Sequence, residues 1–384
     1  MSYITPDDWF DISDDICSRP CGQRLRVVVI GSKNLGKSTF VRILTAKLLK
    51  SLPAVCTLET DCGQPDNTPP AVISYTSHSN GSHEGKPRHV IRSQRYLGFV
   101  NPAFDPFQYI ETVENVFKDY LEQDSEAPLI VNCHGYGASV GLETWQAIIT
   151  LVQPDIVVHI LPEGDPSIEF SDPIPFLSKQ YPRPQPEWRA LSPIITIEGS
   201  IVDTPHKATS VDYRWIRFAQ HFRPDLALKN EYRAMRPRDF FVFPYTRFIQ
   251  LNIDKVKILF PNADNVPCDP LKAINQLVVA LCDSSTNQFV CMAYVASYTR
   301  EEIRLIIPPN IPTSKMESVD CIMRGVVNWS PRDKVTYKGK TTMPRDMSVE
   351  EPYFLLSVLG GVESGARLAR TRVDLKRRRT LSSQ

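Results

Sequence analysis

Residues 31–38 read Gly31-Ser32-Lys33-Asn34-Leu35-Gly36-Lys37-Ser38, and the spacing G-x-x-x-x-G-K-S is that of a phosphate-binding loop. Its surroundings carry the reading. The apolar run Leu25–Ile30 leads in as a buried strand, and Thr39–Leu49 leads out as an amphipathic helix. Glycines let successive backbone N–H groups turn toward a ligand, and the helix that follows offers its positive end to phosphate. Gly31, Ser32, Lys33, Asn34, Leu35, Gly36, Lys37, Ser38 and Thr39 are therefore the candidate nucleotide-binding residues. Lys37 is placed to reach the terminal phosphates and the Ser38 hydroxyl to hold a magnesium ion. The chain is expected to bind a nucleoside triphosphate.

Outward from the loop, Ala54–Thr60 reads as a second strand ending at Glu59-Thr60-Asp61-Cys62-Gly63-Gln64-Pro65. Ser74–His89 has little hydrophobic periodicity and reads as an exposed loop. Asp105–Glu122 carries apolar residues at helical spacing, and a strand, turn and helix follow at Pro128–Cys133, His134–Val140 and Gly141–Val152. Asp155–Leu161 and Ile194–Glu198 supply two further short strands. This alternation predicts an α/β fold, a P-loop NTPase parallel sheet with helices on both faces. Ligands of such sheets bind beyond the carboxyl ends of the strands, where Gly31, Asp61 and Cys133–Gly135 all fall.

From Phe240 the pattern changes to short strand-like runs: Phe240–Phe243, Lys257–Phe260, Leu277–Cys282, Phe289–Tyr298, Ile303–Ile307 and Cys321–Trp329. Prolines punctuate them, and a smaller, mainly β domain is expected. The expected organisation is an amino-terminal extension over 1–23, a phosphate-loop domain over 24–239 with a lid segment near 210–238, a β domain over 240–362 and a basic tail over 363–384.

With 384 residues, 42% hydrophobic and 23% charged, the chain has the composition of an ordinary globular protein. No apolar stretch reaches the length of a membrane span, and the acidic start Met1–Asp15 is unlike a secretory signal, so no membrane partner is expected. The nine cysteines are scattered, and Cys17 and Cys21 lack the second pair that a zinc site needs, which points to reduced thiols in the cytosol or nucleus. The net charge of +1 announces no nucleic acid. The stretch Arg367–Arg379, however, gathers seven cations against one acid, as a nuclear or nucleolar address or a contact to RNA or an acidic partner would.

Asp61 follows an apolar strand and is placed to order magnesium or to accept a proton from an attacking hydroxyl; Gln64 could bond a water or a substrate oxygen. Asp and Gly are also turn formers, so a simple turn is the alternative. Arg233 and Arg236, three apart and just before Pro237, would share one helix face as cations for a migrating phosphoryl group. Tyr213-Arg214-Trp215-Ile216-Arg217-Phe218 interleaves aromatics with cations as single-strand binding surfaces do, or else forms a buried helix with solvated arginines. Neither a guanine-reading N-K-x-D motif nor the H-R-D motif of protein kinases appears, and ATP is the expected nucleotide.

Together these pieces resemble the polynucleotide 5′-hydroxyl kinases, a family that includes nucleolar kinases of pre-ribosomal RNA processing and the kinase-fold subunit of the pre-mRNA cleavage machinery. The family shows a phosphate loop, then D-x-D-x-G-Q, a clasp N-T-x-G-W-x-K-G-x-G and a lid with R-x-x-R. Here the second motif is Glu59-Thr60-Asp61-Cys62-Gly63-Gln64, the clasp is Asn132-Cys133-His134-Gly135-Tyr136-Gly137-Ala138-Ser139-Val140-Gly141, and the lid pair is Arg233 and Arg236. Tyr96-Leu97-Gly98-Phe99, Asp105-Pro106 and Tyr109 are similar to the nucleolar branch.

The resemblance implies transfer of the γ-phosphate of ATP, with Mg2+, to the 5′-hydroxyl end of RNA. Its catalytic residues would be Lys37, Asp61, Arg233 and Arg236, its substrate contacts Gln64 and Tyr136, and its metal ligands Ser38 and Asp61. It also implies a pre-rRNA endonuclease as partner, an oligomeric state set by that partner and residence in the nucleus and nucleolus. Departures stand at Glu59 for the first aspartate, Tyr136 for the clasp tryptophan, Ala138 for its lysine and Ser139 for a glycine. Losing such a cation removes about 2–4 kcal/mol of transition-state stabilisation, so a catalytically weakened scaffold that binds ATP and supports an RNA endonuclease is the alternative. Only 30 residues precede the loop, and the family's amino-terminal β domain is expected to be missing or vestigial.

Overall fold

The computed structural model describes residues 6, 8–19, 24–80, 88–137, 140–162, 164–165, 194–199, 214, 217–218, 220–222, 247–261, 267–326, 336–337 and 340–341. The chain divides into two compact units. The first is Met1–Asn67, Ile73–Arg95 and Asn101–Lys207; the second is Thr68–Val72, Tyr96–Val100 and Ala208–Gln384.

The first unit is built on strands β1 (Arg26–Gly31), β2 (Ala54–Glu59), β3 (Val72–Ser79), β4 (Arg88–Tyr96), β5 (Leu129–Asn132), β6 (Ile156–Leu161) and β7 (Ile194–Glu198), in the sheet order β4-β3-β2-β5-β1-β6-β7. The strands from β2 through β7 in that order run parallel, with Val28 opposite Val131 on one side and Val157 on the other. Both faces of β1 are covered. Val27 and Val29 pack with helices α1 (Asp8–Ser18) and α2 (Lys37–Leu48), and Val28 and Ile30 are equally buried. Such doubly buried strands read as continuous apolar runs, which is why Leu25–Ile30 announces itself.

Two features correct the expectation. Strand β3 pairs antiparallel with β2, so the sheet is mixed at this edge, and the segment from Ser74 to Ser79 is strand rather than loop. Its polar side chains hide it: Ser74 and Thr76 are buried, and the Tyr75 hydroxyl lies 2.9 Å from Gln123 Oε1. The backbone ladder, not apolar alternation, holds this strand. Helix α1 was also not foreseen within the acidic start. Its Trp9 and Ile16 are buried, the Trp9 ring meets Phe40 edge-on at 5.6 Å, and its indole N–H donates to the Glu198 carbonyl at 2.8 Å.

Helix α3 (Pro106–Gln123) starts where the sequence says, because Asp105 Oδ1 accepts the Gln108 N–H at 3.0 Å and Pro106 fixes the first turn. It packs against α4 (Val140–Val152). No described helix is long and apolar enough to cross a membrane.

The second unit carries a six-stranded sheet of β8 (Arg247–Asn252), β9 (Lys257–Leu259), β10 (Val278–Asp283), β11 (Gln288–Tyr298), β12 (Glu302–Ile307) and β13 (Cys321–Met323). The order is β8-β12-β11-β10-β13-β9, antiparallel except between β13 and β9. Along β10, Val279 and Leu281 enter one apolar cluster with Val295, Ile303 and Leu305, while Val278, Ala280 and Cys282 enter another with Phe218, Phe222 and Met292. The expected β-rich character after the α/β part is met. Edge strand β8, which the sequence reading passed over, keeps Phe248 exposed and only half buries Ile249 and Leu251. Phe240–Phe243 lies outside the described residues. Phe218 is fully buried, so for this residue the core alternative holds over base stacking; Tyr213 and Trp215 lie outside the described residues.

Candidate active site

The phosphate loop joins β1 to α2 through two residues in left-handed conformation, Asn34 at φ 67° and Gly36 at φ 94°. Gly36 caps α2 without any side-chain bond, and its carbonyl accepts the Thr39 and Phe40 N–H groups at 2.8 and 2.9 Å. The first N–H groups of the helix are thereby left to face a ligand. Gly31 is required for another reason: a Cβ there would sit 2.4 Å from the Ile160 carbonyl oxygen.

Lys37 begins α2 and is 7% exposed, its Nζ donating to the Ser32 carbonyl at 2.9 Å. Burial pulls its pKa below the usual ammonium value, while the nearby Asp61, Cys133 and Glu59 pull the other way. A desolvated ammonium with one weak neutral partner is poised for a stronger anionic one.

At the carboxyl ends of β2 and β5, Glu59 and Asn132 face each other. Asn132 Nδ2 donates to Glu59 Oε1 and Oε2 at 3.1 and 3.0 Å and to Ser38 Oγ at 3.1 Å. Glu59 Oε1 also accepts the Asp61 N–H at 3.0 Å. Burial raises the Glu59 pKa well above the carboxylate range, and the charges of Asp66 and Asp61 add to the rise. Asp61 is half-buried, and its Oδ1 accepts the Gly63 and Gln64 N–H groups at 2.9 and 3.0 Å. Asp61 therefore shapes a turn, as the plainer sequence reading has it, and sits within electrostatic reach of Lys37.

The turn after β5 is built from side chains. His134 is 2% exposed between Trp145, stacked at 5.7 Å, and Tyr109, edge-on at 5.6 Å. The Thr144 hydroxyl donates to the Gly141 carbonyl at 2.8 Å, so its oxygen accepts from His134 Nε2 at 2.8 Å. Nδ1 is then the lone-pair nitrogen and accepts the Tyr136 N–H at 3.2 Å. This fixes one neutral tautomer, and burial keeps it neutral by pulling the pKa down to about 3. The turn lies against the phosphate loop: a Cβ on Gly135 would come within 2.8 Å of Lys33 Cα, and one on Gly137 within 3.0 Å of Ser32 Oγ.

The donor set suits a magnesium ion beside a nucleotide. Ser38 Oγ and the Asp61 carboxylate are hard oxygen donors that could hold it, and magnesium takes only one or two protein ligands besides phosphate and water. Asn132 Oδ1, in the residue bonded to Ser38, is buried with no hydrogen-bond partner, an acceptor that a water of a hydrated cation can satisfy.

Comparison with known proteins gives the chain relatives. Residues 31–168 match the family described as mRNA cleavage and polyadenylation factor CLP1 P-loop. The chain is 26% identical to polynucleotide 5′-hydroxyl-kinase NOL9 of Mus musculus over 86% of its own length and 48% of the relative's. It is 25% identical to polynucleotide 5′-hydroxyl-kinase GRC3 of Kluyveromyces lactis over 88% of its length and 57% of that protein's. The chain is similar to the polynucleotide 5′-hydroxyl kinases over most of its length. It spans about half the length of these relatives. Its fold is that of a chain in the solved Clp1p–Pcf11p complex, with a TM-score of 0.56, 14% identity and coverage of 84% of this chain and 79% of the other.

The structure brings together the loop residues 31–39, Asp61 with the Gln64 N–H bonded to it, and the turn that carries Tyr136. Arg233, Arg236, Ala138 and Ser139 lie outside the described residues, as does the basic tail. Sequence reasoning noted Asn132 and His134 only as members of the clasp and of a ligand-facing strand end, noted Glu59 only as a departure from a pattern, and gave no role to Thr144 or Trp145. A signal existed: Asn132 and His134 are polar residues ending a run, Leu129–Val131, that is otherwise wholly apolar. Polar groups at the end of a doubly buried strand need partners or a ligand.

Proposed function

We propose that this chain is an ATP-dependent polynucleotide 5′-hydroxyl kinase that transfers the γ-phosphate of ATP to the 5′-hydroxyl of RNA. The observation that supports the reading is the seating of the 135–137 turn directly on the phosphate loop, next to the residues proposed to hold the nucleotide. Names of the relatives supply the acceptor class. Loop amides and Lys37 would hold the phosphates, and Ser38 and Asp61 would hold magnesium. The ion, when bound, neutralises charge on the transferring group. Asp61, or a neighbour, takes the proton of the attacking hydroxyl; the new O–P bond forms as the bond to the β-phosphate breaks and ADP leaves. Arg233 and Arg236 close on the γ-phosphate, while Gln64 and Tyr136 position the RNA end. The proposal extends to action on pre-ribosomal RNA in the nucleolus beside an endonuclease that supplies 5′-hydroxyl ends.

The test is transfer of labelled γ-phosphate from ATP and magnesium to a 5′-hydroxyl RNA oligonucleotide, run beside Lys37→Ala. Transfer that disappears in the variant is the expected result. ATP binding without any transfer by the wild type would replace the kinase reading with that of a nucleotide-bound scaffold.

A further inference from the structure

The two nitrogens of His134 are used in opposite senses, one donating to Thr144 on α4 and the other accepting from the Tyr136 backbone. Its carbonyl oxygen accepts the Trp145 indole N–H at 3.0 Å, so the residue is tied to α4 twice. Its ring is clamped between two aromatic side chains, leaving it one orientation. A turn of three residues, two of them glycine, has little stiffness of its own. Here the stiffness comes from one side chain, and the residue whose N–H it holds is Tyr136. A Cβ on Gly141 would lie 1.8 Å from the Tyr136 carbonyl oxygen, so α4 presses on the same residue from the other side.

We propose that His134 is a positioning residue for the RNA: by accepting the Tyr136 N–H it holds Tyr136 in the orientation that receives the 5′-terminal nucleotide. The inference rests on the kinase reading above, and it concerns the RNA side of the site alone. His134 touches neither Lys37 nor Ser38 by hydrogen bond among the described residues, so nucleotide binding stands apart from it.

Two variants separate its two bonds. His134→Asn places an amide oxygen where Nδ1 stands and keeps the bond to Tyr136, whereas His134→Gln reaches toward Thr144 and gives that bond up. Binding of a fluorescent 5′-hydroxyl RNA oligonucleotide and of ATP is measured separately, with the KM for RNA and kcat alongside. Losing one such bond should weaken RNA binding about tenfold in H134Q, with H134N within about threefold and ATP affinity within about twofold in both. Where the Tyr136→Ala change is already present, H134Q should weaken RNA no further. Equal RNA losses in H134N and H134Q, a parallel fall in ATP affinity, or an additive loss with Tyr136→Ala each overturn the assignment. A wild-type chain that binds the RNA but transfers nothing overturns the kinase reading and leaves the RNA-binding comparison to decide His134. A wild-type chain that binds no such RNA overturns both.

Discussion

The phosphate loop and the turn after β5 lie against each other yet are made by opposite means. The loop is shaped by backbone: left-handed Asn34 and Gly36, a helix end and a glycine packed on Ile160. The turn is shaped by side chains, with His134, Thr144 and Trp145 holding a glycine-rich segment in place. A loop defined by backbone conformation needs particular residue types at fixed spacing and leaves a motif. A turn held by side-chain bonds can be built from many residue combinations, and its members are scattered between residues 134 and 145. Substitution should therefore fail differently in the two places, abruptly in the loop and by degrees in the turn.

The largest effect belongs to the loop. Lys37→Ala should lower phosphate transfer by at least about a thousandfold, equivalent to about 4 kcal/mol of transition-state stabilisation. The fold should persist, because removing a desolvated ammonium relieves a burial cost; thermal unfolding within a few degrees of the wild type checks this. A variant that unfolds instead would place Lys37 in the structural half of the comparison.

In the turn the largest effect is on stability. Trp145 is 1% exposed, stacks on His134, meets His159 edge-on at 6.3 Å and donates to the His134 carbonyl. Trp145→Ala should cost about 3–5 kcal/mol, measured by denaturant unfolding, because a large cavity opens and a buried carbonyl loses its donor. A loss below about 1 kcal/mol would show that the turn does not depend on its side-chain frame.

His134 brings pH into the comparison. Its pKa lies near 3 in the folded chain and near 6.5 when unfolded. The unfolded state thus binds the proton first, and the contribution is present above pH 6.5 and falls away as pH drops toward 3. Between pH 8 and pH 5 the wild type should lose about 2 kcal/mol that H134Q does not lose. Parallel stability curves for the two proteins would remove His134 from this role.

The same distinction explains what could be read in advance. Gly31–Ser38, the strand before it and the helix after it were legible because each demands a residue type. The apolar run Leu277–Cys282 was legible because both faces of β10 are buried, each in its own apolar cluster. Strand β3 was not, since Ser74, Thr76 and Ser77 are buried polar residues whose backbone alone is held by pairing with β2. Nor was α1, whose buried face is little more than Trp9 and Ile16 within a run of acids. Glu59 and Asn132 met for a reason no local pattern holds: β2 and β5 are neighbours in space, with Glu59 in register opposite Asn132, though 73 residues apart in sequence.

The smallest effect tests how far the loop's helix depends on what surrounds it. Arg42, one turn into α2, holds Asp66 with Nη2 at 2.5 Å from Oδ1 and Nε at 3.0 Å from Oδ2. The geometry is bidentate, but the Arg42 side chain is 59% exposed, and solvent screens most of the attraction. Asp66 in turn donates its N–H to Glu59 Oε2 at 3.4 Å, so the pair is the outer link of a chain reaching the buried carboxylate. If that link only decorates the surface, Arg42→Met should cost less than about 1 kcal/mol, and the difference should shrink further at high salt. If ATP affinity falls along with it, the turn at Asp61–Asp66 is held from outside, and the loop is less self-sufficient than its backbone geometry implies.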